Sequence, residues 1–174
     1  MNKHTKKICI TALFTALILV ATAYIKIPIA LGYIHLGDLF IIISAFFLPI
    51  ELCAPAAMLG AGLADLIAGY VNYIPITILA KGLMAVIIRA FIAEDKIVIW
   101  KIIVGALASS IVMQLVYFIY EGFYYGWSLA IANIPTALIQ PAVSIVLGSV
   151  AIIAFSKVKT LMSMRKELTF RKKK

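Results

Sequence analysis

The segment ICITALFTALILVATAYI, residues 8–25, decides the fold class of this chain. It contains no charged residue, and Lys3, Lys6 and Lys7 precede it. A helix needs about 20 residues to cross the hydrocarbon core of a bilayer. The segment is long for the core of a signal peptide, and no clean small-x-small cleavage site follows it. We therefore predict a retained first transmembrane helix.

The whole chain has the composition of a membrane protein. Of its 174 residues, 64% are hydrophobic and 13% are charged, whereas an average soluble domain is about half apolar and about a quarter charged. Much of the +9 net charge lies at the C-terminal end, where residues 157–174 contain eight of the 16 Lys and Arg residues. Such basic flanks suit the anionic cytoplasmic face of a membrane. Nucleic-acid binding is disfavoured, because no soluble domain remains to present these charges.

Five further apolar segments follow the first, separated by Pro, Gly and polar residues. This pattern predicts an all-α membrane protein with six transmembrane helices in one domain, residues 1–174. The predicted helices cover about residues 8–27, 38–48, 52–70, 75–93, 97–120 and 128–155, followed by a basic tail at 157–174.

Four connections and breaks carry their own predictions. Residues 28–37 are apolar but broken by Pro and Gly, which indicates an ordered re-entrant loop. Residues 94–96 form the most polar internal break, and residues 121–127 are predicted to be an aromatic loop. Pro135 and Pro141 predict a kink, or a short preceding helix, in the last segment.

The distribution of basic residues predicts the orientation. With six spans, fourteen basic residues lie on the side of the termini, Lys26 lies on the other side, and Lys81 lies within a span. By the positive-inside rule, both termini are expected in the cytoplasm of a multi-pass cell-membrane protein.

Ionisable side chains inside a membrane are costly and usually paired or functional. Asp65 and Lys81 lie at similar depth on neighbouring predicted spans joined by a tight turn. Two interpretations stay open: a structural Asp65–Lys81 ion pair that locks a helical hairpin, or a Lys81 that meets a ligand. Asp38 follows Gly37 at the start of the second segment, where an N-cap role is expected.

Other polar and aromatic side chains suggest a site for a small, flat, polar ligand. Thr77 and Lys81 share one face of the fourth segment, and residues 133, 136 and 140 share one face of the sixth. A few polar anchors in an apolar pocket are typical of such sites, although interhelical hydrogen bonding would explain the same residues. The candidate ligand-binding residues are Tyr33, His35, Thr77, Lys81, Tyr117, Glu121, Tyr124, Asn133, Thr136 and Gln140.

Catalysis and metal binding lack support in the sequence. Cys9 and Cys53 form no CxxC pair, His4 lies in a tail and His35 in a loop. No Ser/His/Asp set, HExxH or GxSxG motif is present. We expect no enzymatic activity, no catalytic residue, no metal and no bound cofactor.

Four local signatures are considered together: Ala12-xxx-Ala16, the loop from Gly32 to Asp38, Ala64–Tyr70 and Pro75–Met84. With the size, spans and basic ends, the chain resembles the substrate-capture (S) components of energy-coupling factor (ECF) transporters. The likeness extends to the subgroup for riboflavin-like, hydroxymethylpyrimidine and vitamin B6 substrates.

The resemblance implies a function as well as a fold. It implies that the chain captures a vitamin near its outer face, under the loop between the first two helices. It implies docking through Ala12 and Ala16 on a transmembrane coupling protein driven by two ATP-binding subunits, with no ATPase of its own. Vitamin B6 or hydroxymethylpyrimidine is the preferred substrate, with riboflavin as a larger option. The alternative is a ligand-free accessory or scaffold subunit of another membrane complex.

Overall fold

The computed structural model describes residues 2–93 and 97–169, and most of them are helical. Two short antiparallel strands, β1 (Lys26–Pro28) and β2 (Tyr33–His35), form a hairpin between the first two helices. The helical class is therefore confirmed, with a hairpin where a re-entrant loop was predicted. The helices are α1 (Lys3–Ala23), α2 (Gly37–Phe47), α3 (Ile50–Ala68), α4 (Ile74–Phe91), α5 (Ile99–Tyr124), α6 (Trp127–Ala137), α7 (Ile139–Ser156) and α8 (Lys159–Thr169).

Within residues 2–93 and 97–169, five helical segments are long and apolar enough to cross a membrane: α1, α3, residues 71–91, α5, and α6 with α7. Helix α2 is apolar but has only 11 residues, about 16 Å of helix against a hydrocarbon core of about 30 Å. The count of six spans depends on α2 and stays a prediction. The cytoplasmic location of the termini also stays a prediction.

Two predicted boundaries are wrong in ways that affect the site. Helix α1 ends at Ala23 rather than near residue 27, because residues 26–28 pair with β2 instead of continuing the helix. Helix α5 continues to Tyr124, so Glu121 lies in a helix and not in a loop. One extra helical turn therefore aims Glu121 along the same face as the residues below it.

The last predicted segment is divided at Leu138 into α6 and α7, as its two prolines suggest. The basic tail contains helix α8, which the prediction did not anticipate. The polar break at 94–96 and the end of the tail at 170–174 lie outside the described residues.

Close contact between α1 and α3 depends on Gly60. A Cβ atom at this position would lie 2.7 Å from the carbonyl oxygen of Thr15 and 2.9 Å from the Cβ of Ile18. Small residues allow such close approach between helices in membranes, where packing drives association. Gly60 therefore fixes the crossing that places α3 beside the hairpin.

Helix α8 closes the end of the bundle opposite the hairpin. The fully buried Arg165 donates from Nε to the carbonyl oxygen of Phe46 at 3.0 Å and from Nη2 to that of Ile92 at 2.6 Å. These carbonyls lie at the C-terminal ends of α2 and α4, where backbone carbonyls have no N–H donor within their own helix. One guanidinium therefore caps two helices and complements the negative ends of their dipoles. Glu167 pairs with Lys6 and joins α8 to α1.

Candidate ligand-binding site

A cavity of about 630 Å³ lies beneath the hairpin. Its volume falls within the range of about 300–1,000 Å³ that small-molecule sites occupy. Aliphatic and aromatic side chains form most of the wall, and polar groups reach it from several helices. The polar lining residues are Tyr33, His35, Asp65, Tyr70, Tyr73, Thr77, Lys81, Ser110, Gln114, Tyr117, Glu121, Asn133 and Gln140.

Helical periodicity explains how α4 and α5 present these groups. In α4, Thr77 and Lys81 are four residues apart and lie on the same face. In α5, Ser110, Gln114, Tyr117 and Glu121 recur at intervals of four, three and four residues, which is one face of a helix. Each of these helices therefore directs one stripe of side chains into the cavity.

A buried ion pair lies behind one wall of the cavity, and its Lys81 lines that wall. Lys81 Nζ lies 2.6 Å from Asp38 Oδ1 and 3.0 Å from Met113 Sδ. Gln140 Nε2 donates to the other carboxylate oxygen of Asp38 at 2.6 Å. Asp38 is 0% and Lys81 1% exposed, so the two charges neutralise each other inside the bundle.

This pairing corrects two predictions. Lys81 pairs with Asp38, and the predicted Asp65–Lys81 ion pair is wrong. Asp38 is also not the N-cap of α2, because Leu36 occupies that position and Asp38 lies in the first turn. The physical reason is that α2 packs inside the bundle against α4 and α7, which brings the Asp38 carboxylate beside Lys81 and Gln140.

Gln140 connects this ion pair to the hairpin above it. Its Oε1 accepts from the backbone N–H of His35 at 3.1 Å, while its Nε2 binds Asp38. The Nδ1 atom of His35 accepts from the N–H of Gly37 at 3.0 Å. Burial, reinforced by the Lys81 cation, lowers the pKa of His35 to about 3. His35 is therefore neutral, with its proton on Nε2.

Aromatic hydroxyl groups organise the middle of the cavity. Tyr33 donates to Asp65 Oδ1 at 2.6 Å, and Tyr117 donates to Thr77 Oγ1 at 3.0 Å. Burial and the Asp65 carboxylate raise the pKa of Tyr33, so its hydroxyl stays protonated. Lys81 Nζ lies 5.4 Å from the centroid of the Tyr117 ring, a cation–π distance.

The Glu121 carboxylate lies nearer the rim, on the same face of α5 as Tyr117. Glu121 Oε2 accepts from Asn133 Nδ2 at 3.1 Å, and its Oε1 accepts from the Tyr73 hydroxyl at 3.3 Å. Asn133 Nδ2 also lies 3.5 Å from the carbonyl oxygen of Leu31 in the hairpin turn. The rim and the hairpin are thus joined through one amide.

Eight of the ten predicted ligand-binding residues line the cavity: Tyr33, His35, Thr77, Lys81, Tyr117, Glu121, Asn133 and Gln140. Their contact with a ligand stays a prediction. Tyr124 is 54% exposed, stacks on Tyr120 and does not line the cavity. Thr136 is also absent from the wall; its Oγ1 lies 2.8 Å from the carbonyl oxygen of Asn133 and 3.1 Å from Asn133 Oδ1, so it orients that amide.

The sequence reasoning assigned the lining residue Asp65 only to an ion pair, and it missed four polar lining residues, Tyr70, Tyr73, Ser110 and Gln114. The last two share the α5 face that also carries Tyr117 and Glu121, so extending the periodicity of that face downwards would have found them. Tyr73 precedes α4 by one residue and carries no such signal.

Ala12 and Ala16 lie on the exposed side of α1. Phe14 and Ile18, on the other side of the helix, are buried in the bundle. Within the described residues, no other part of the chain covers the two alanines. Their docking role stays a prediction.

Comparison with known proteins gives matches over most of the chain. A family model described as "ECF-type riboflavin transporter, S component" matches residues 2–157. "Thiamine precursor transporter HmpT" of Lactococcus lactis subsp. cremoris is 31% identical over 152 residues, covering 86% of this chain and 87% of that protein. "Uncharacterized protein in gap 3'region" of Pyrococcus woesei is 30% identical over 131 residues, covering 74% and 87%. No solved structure matches the chain.

Proposed function

Because the chain belongs to the family of ECF-type riboflavin transporter S components, we propose that it captures hydroxymethylpyrimidine, a thiamine precursor, for an ATP-driven importer. Membership makes it a transport subunit rather than an enzyme, and a multi-pass protein of the cell membrane. The substrate, the docking and the source of energy are the parts proposed here.

The cavity is the observation that carries this proposal. Buried polar side chains from α4, α5, α6 and α7 meet under one hairpin, in a pocket of about 630 Å³. Buried polar groups in a membrane are expensive and are retained where they have a partner or a function. A wall that combines carboxylates, amides and tyrosines suits a small heterocycle that both donates and accepts hydrogen bonds.

The chemistry of the wall favours an aminopyrimidine over a flavin. Asp65 and Glu121 supply carboxylate oxygens that accept from an exocyclic amino group. The Asn133 N–H that makes the long 3.5 Å contact with the Leu31 carbonyl can turn to a ring nitrogen of the ligand. The pyrimidine edge of a flavin instead presents two carbonyl oxygens around a single N–H, so acceptors would outnumber donors opposite these carboxylates. The likeness to the thiamine precursor transporter of Lactococcus lactis supports the same substrate.

The energy for transport comes, in this proposal, from other subunits. The sequence contains no P-loop or other nucleotide-binding motif. The exposed face of α1 at Ala12 and Ala16 would contact a transmembrane coupling protein, because small residues allow close helix approach. Two ATP-binding subunits attached to that coupling protein would hydrolyse ATP, and the chain itself would need no cofactor.

The test is a binding panel on the protein purified in mild detergent. Native mass spectrometry and thermal-shift measurements would compare hydroxymethylpyrimidine, pyridoxine, riboflavin and thiamine. We expect hydroxymethylpyrimidine to bind with one-to-one stoichiometry and to raise the melting temperature most, since a ligand that binds only the folded state stabilises it.

Two matched variants check where the ligand binds. Asn133→Ala removes an amide from the cavity wall, and Asn72→Ala removes an exposed amide outside it. We expect the first to weaken binding by about tenfold and the second to leave binding unchanged. A protein that binds no compound of the panel would reject vitamin capture, and preferential binding of riboflavin or pyridoxine would reject the proposed substrate.

A further inference from the structure

Ser110 is a buried polar residue that the structure leaves without a hydrogen bond. Its side chain is 2% exposed, lines the cavity, and its Oγ has no partner. An unsatisfied buried hydroxyl costs free energy, because it has given up its hydrogen bonds to water. Such a group therefore requires a specific explanation.

Ser109, the neighbouring residue, shows that α5 does not prevent a serine at this depth from forming a side-chain hydrogen bond. Ser109 is 0% exposed, and its Oγ donates to the carbonyl oxygen of Ala106 at 3.0 Å. Serine in a membrane helix commonly satisfies itself in this way, by bonding back to the preceding turn. Ser109 does not line the cavity, whereas Ser110 does. The serine that faces the cavity is the one that keeps its hydroxyl free.

The position of Ser110 places it at the inner end of the polar stripe on α5. Met113, which receives a hydrogen bond from Lys81 at 3.0 Å, lies about one helical turn closer to the hairpin. Glu121 lies eleven positions further along α5, about 16 Å along the helix axis. The distance along α5 between Ser110 and Glu121 at the rim therefore exceeds the width of a single aromatic ring.

The surroundings of Ser110 define the kind of group that it can bind. Leu107 and Ile111 line the cavity beside it, and Lys81 of α4, the cation that contacts Met113 on the next turn, is already paired with Asp38. No charge is available here to balance a charged ligand group. A neutral hydroxyl is the matching partner, because two hydroxyls can each donate and accept.

We propose that Ser110 is a ligand-contacting residue that recognises a hydroxymethyl or other hydroxyl group of the substrate at the inner end of the cavity. This proposal rests on the proposed function, since it places the hydroxymethyl group of the ligand on Ser110. Ser110 discriminates between the substrate and analogues that lack the hydroxyl.

The test compares hydroxymethylpyrimidine with the matched analogue that has methyl in place of hydroxymethyl. Dissociation constants are measured by calorimetric titration of the full-length protein in detergent. We expect the wild type to prefer the hydroxymethyl compound by about tenfold, the effect of one satisfied hydrogen bond in a buried site. We expect Ser110→Ala to bind the two compounds within about twofold of each other, and Ser109→Ala to keep the wild-type preference.

The stability of the ligand-free protein gives a second readout. Ser110→Ala removes a hydroxyl that has no partner, so its melting temperature is expected to equal or exceed that of the wild type. Lower binding without lower stability is the signature of a ligand contact.

The outcomes separate this inference from the proposed function. A wild type that prefers the hydroxymethyl compound, together with a Ser110→Ala variant of unchanged preference, overturns the role of Ser110 and leaves vitamin capture intact. If pyridoxine or riboflavin binds instead, the same comparison with its deoxy analogue decides the role of Ser110. A wild type that binds none of these probes overturns both proposals.

Discussion

Replacing Lys81 with methionine should strongly destabilise the protein, because it leaves the Asp38 carboxylate buried without its cation. The two charged atoms are 2.6 Å apart, and neither side chain is more than 1% exposed. Gln140 would remain as the partner of Asp38, and one amide does not replace a full charge. Breaking a buried pair by removing one member typically costs about 3–5 kcal/mol.

Removing both charges should restore much of that loss. In the double variant Asp38→Asn with Lys81→Met, no isolated charge remains, and the asparagine can still accept a hydrogen bond from Gln140. Replacing a buried pair by neutral residues of similar volume is often nearly neutral for stability. We therefore expect a coupling energy of about 2–3 kcal/mol between the two positions.

The assay is thermal unfolding in mild detergent of the wild type, both single variants and the double variant. A loss of about 3 kcal/mol corresponds to a fall in melting temperature of roughly 6–12 °C for a chain of this size. The control cycle combines Lys81→Met with Asp65→Asn in place of Asp38→Asn. The Asp65 carboxylate binds Tyr33 rather than Lys81. The reasoning would be refuted by additive effects in the Asp38 cycle, or by a larger coupling in the Asp65 cycle.

Two further predictions concern the ends of the bundle. Arg165→Ala should lower the free energy of unfolding by about 2–4 kcal/mol, because the Phe46 carbonyl loses its Arg165 donor and the Ile92 carbonyl keeps only Arg89 Nη1, at 3.1 Å. Arg165→Lys should restore only part of this loss, since an ammonium lacks the planar fork. Unfolding midpoints in detergent measure both variants. Folding lowers the pKa of His35 from 6.5 to about 3. The contribution of a neutral His35 to the free energy of unfolding is therefore complete above pH 6.5. Below that pH it falls by up to about 1.4 kcal/mol per pH unit, because the unfolded chain takes up a proton that the folded protein does not. Melting temperatures of wild type and His35→Asn between pH 7 and pH 4 should diverge, with the steeper fall in the wild type.

The spans could be predicted because hydropathy is a local property of the sequence. Runs of apolar residues bounded by Pro49, Gly69 or charged residues identify the long apolar helices without knowledge of their neighbours. The failures occurred where local signals ended. Three residues of extended backbone after α1 gained a strand partner, Tyr33–His35, that no hydropathy pattern indicates.

Pairing between distant helices was the part that the sequence did not determine. Asp65 and Lys81 are close along the chain, on two helices joined by a turn, so they were the obvious pair. Asp38 is 43 positions from Lys81, and its proximity depends on α2 packing inside the bundle. Sequence reasoning found a buried cation that needed an anion, but the choice among anions required the packing.

Ser110 was missed for the opposite reason. A serine in an apolar segment is ordinary, and its usual hydrogen bond to the preceding turn makes it inconspicuous. Helical periodicity places it on the same face as Tyr117 and Glu121, but two structural observations mark it as a binding group: the cavity in front of it and the missing partner. Neither is a property of the sequence.

The two interpretations of the buried polar residues, structural and ligand-binding, are compatible at Gln140. Its amide binds the hairpin through Oε1 and Asp38 through Nε2, yet each end keeps one further hydrogen-bonding position. A side chain held in this way is already oriented for a ligand, which lowers the entropy cost of binding. Substitution of Gln140 should therefore reduce stability and binding together and cannot separate the two roles. Ser110 has no structural bond to lose, so a change in binding there reports on the ligand alone.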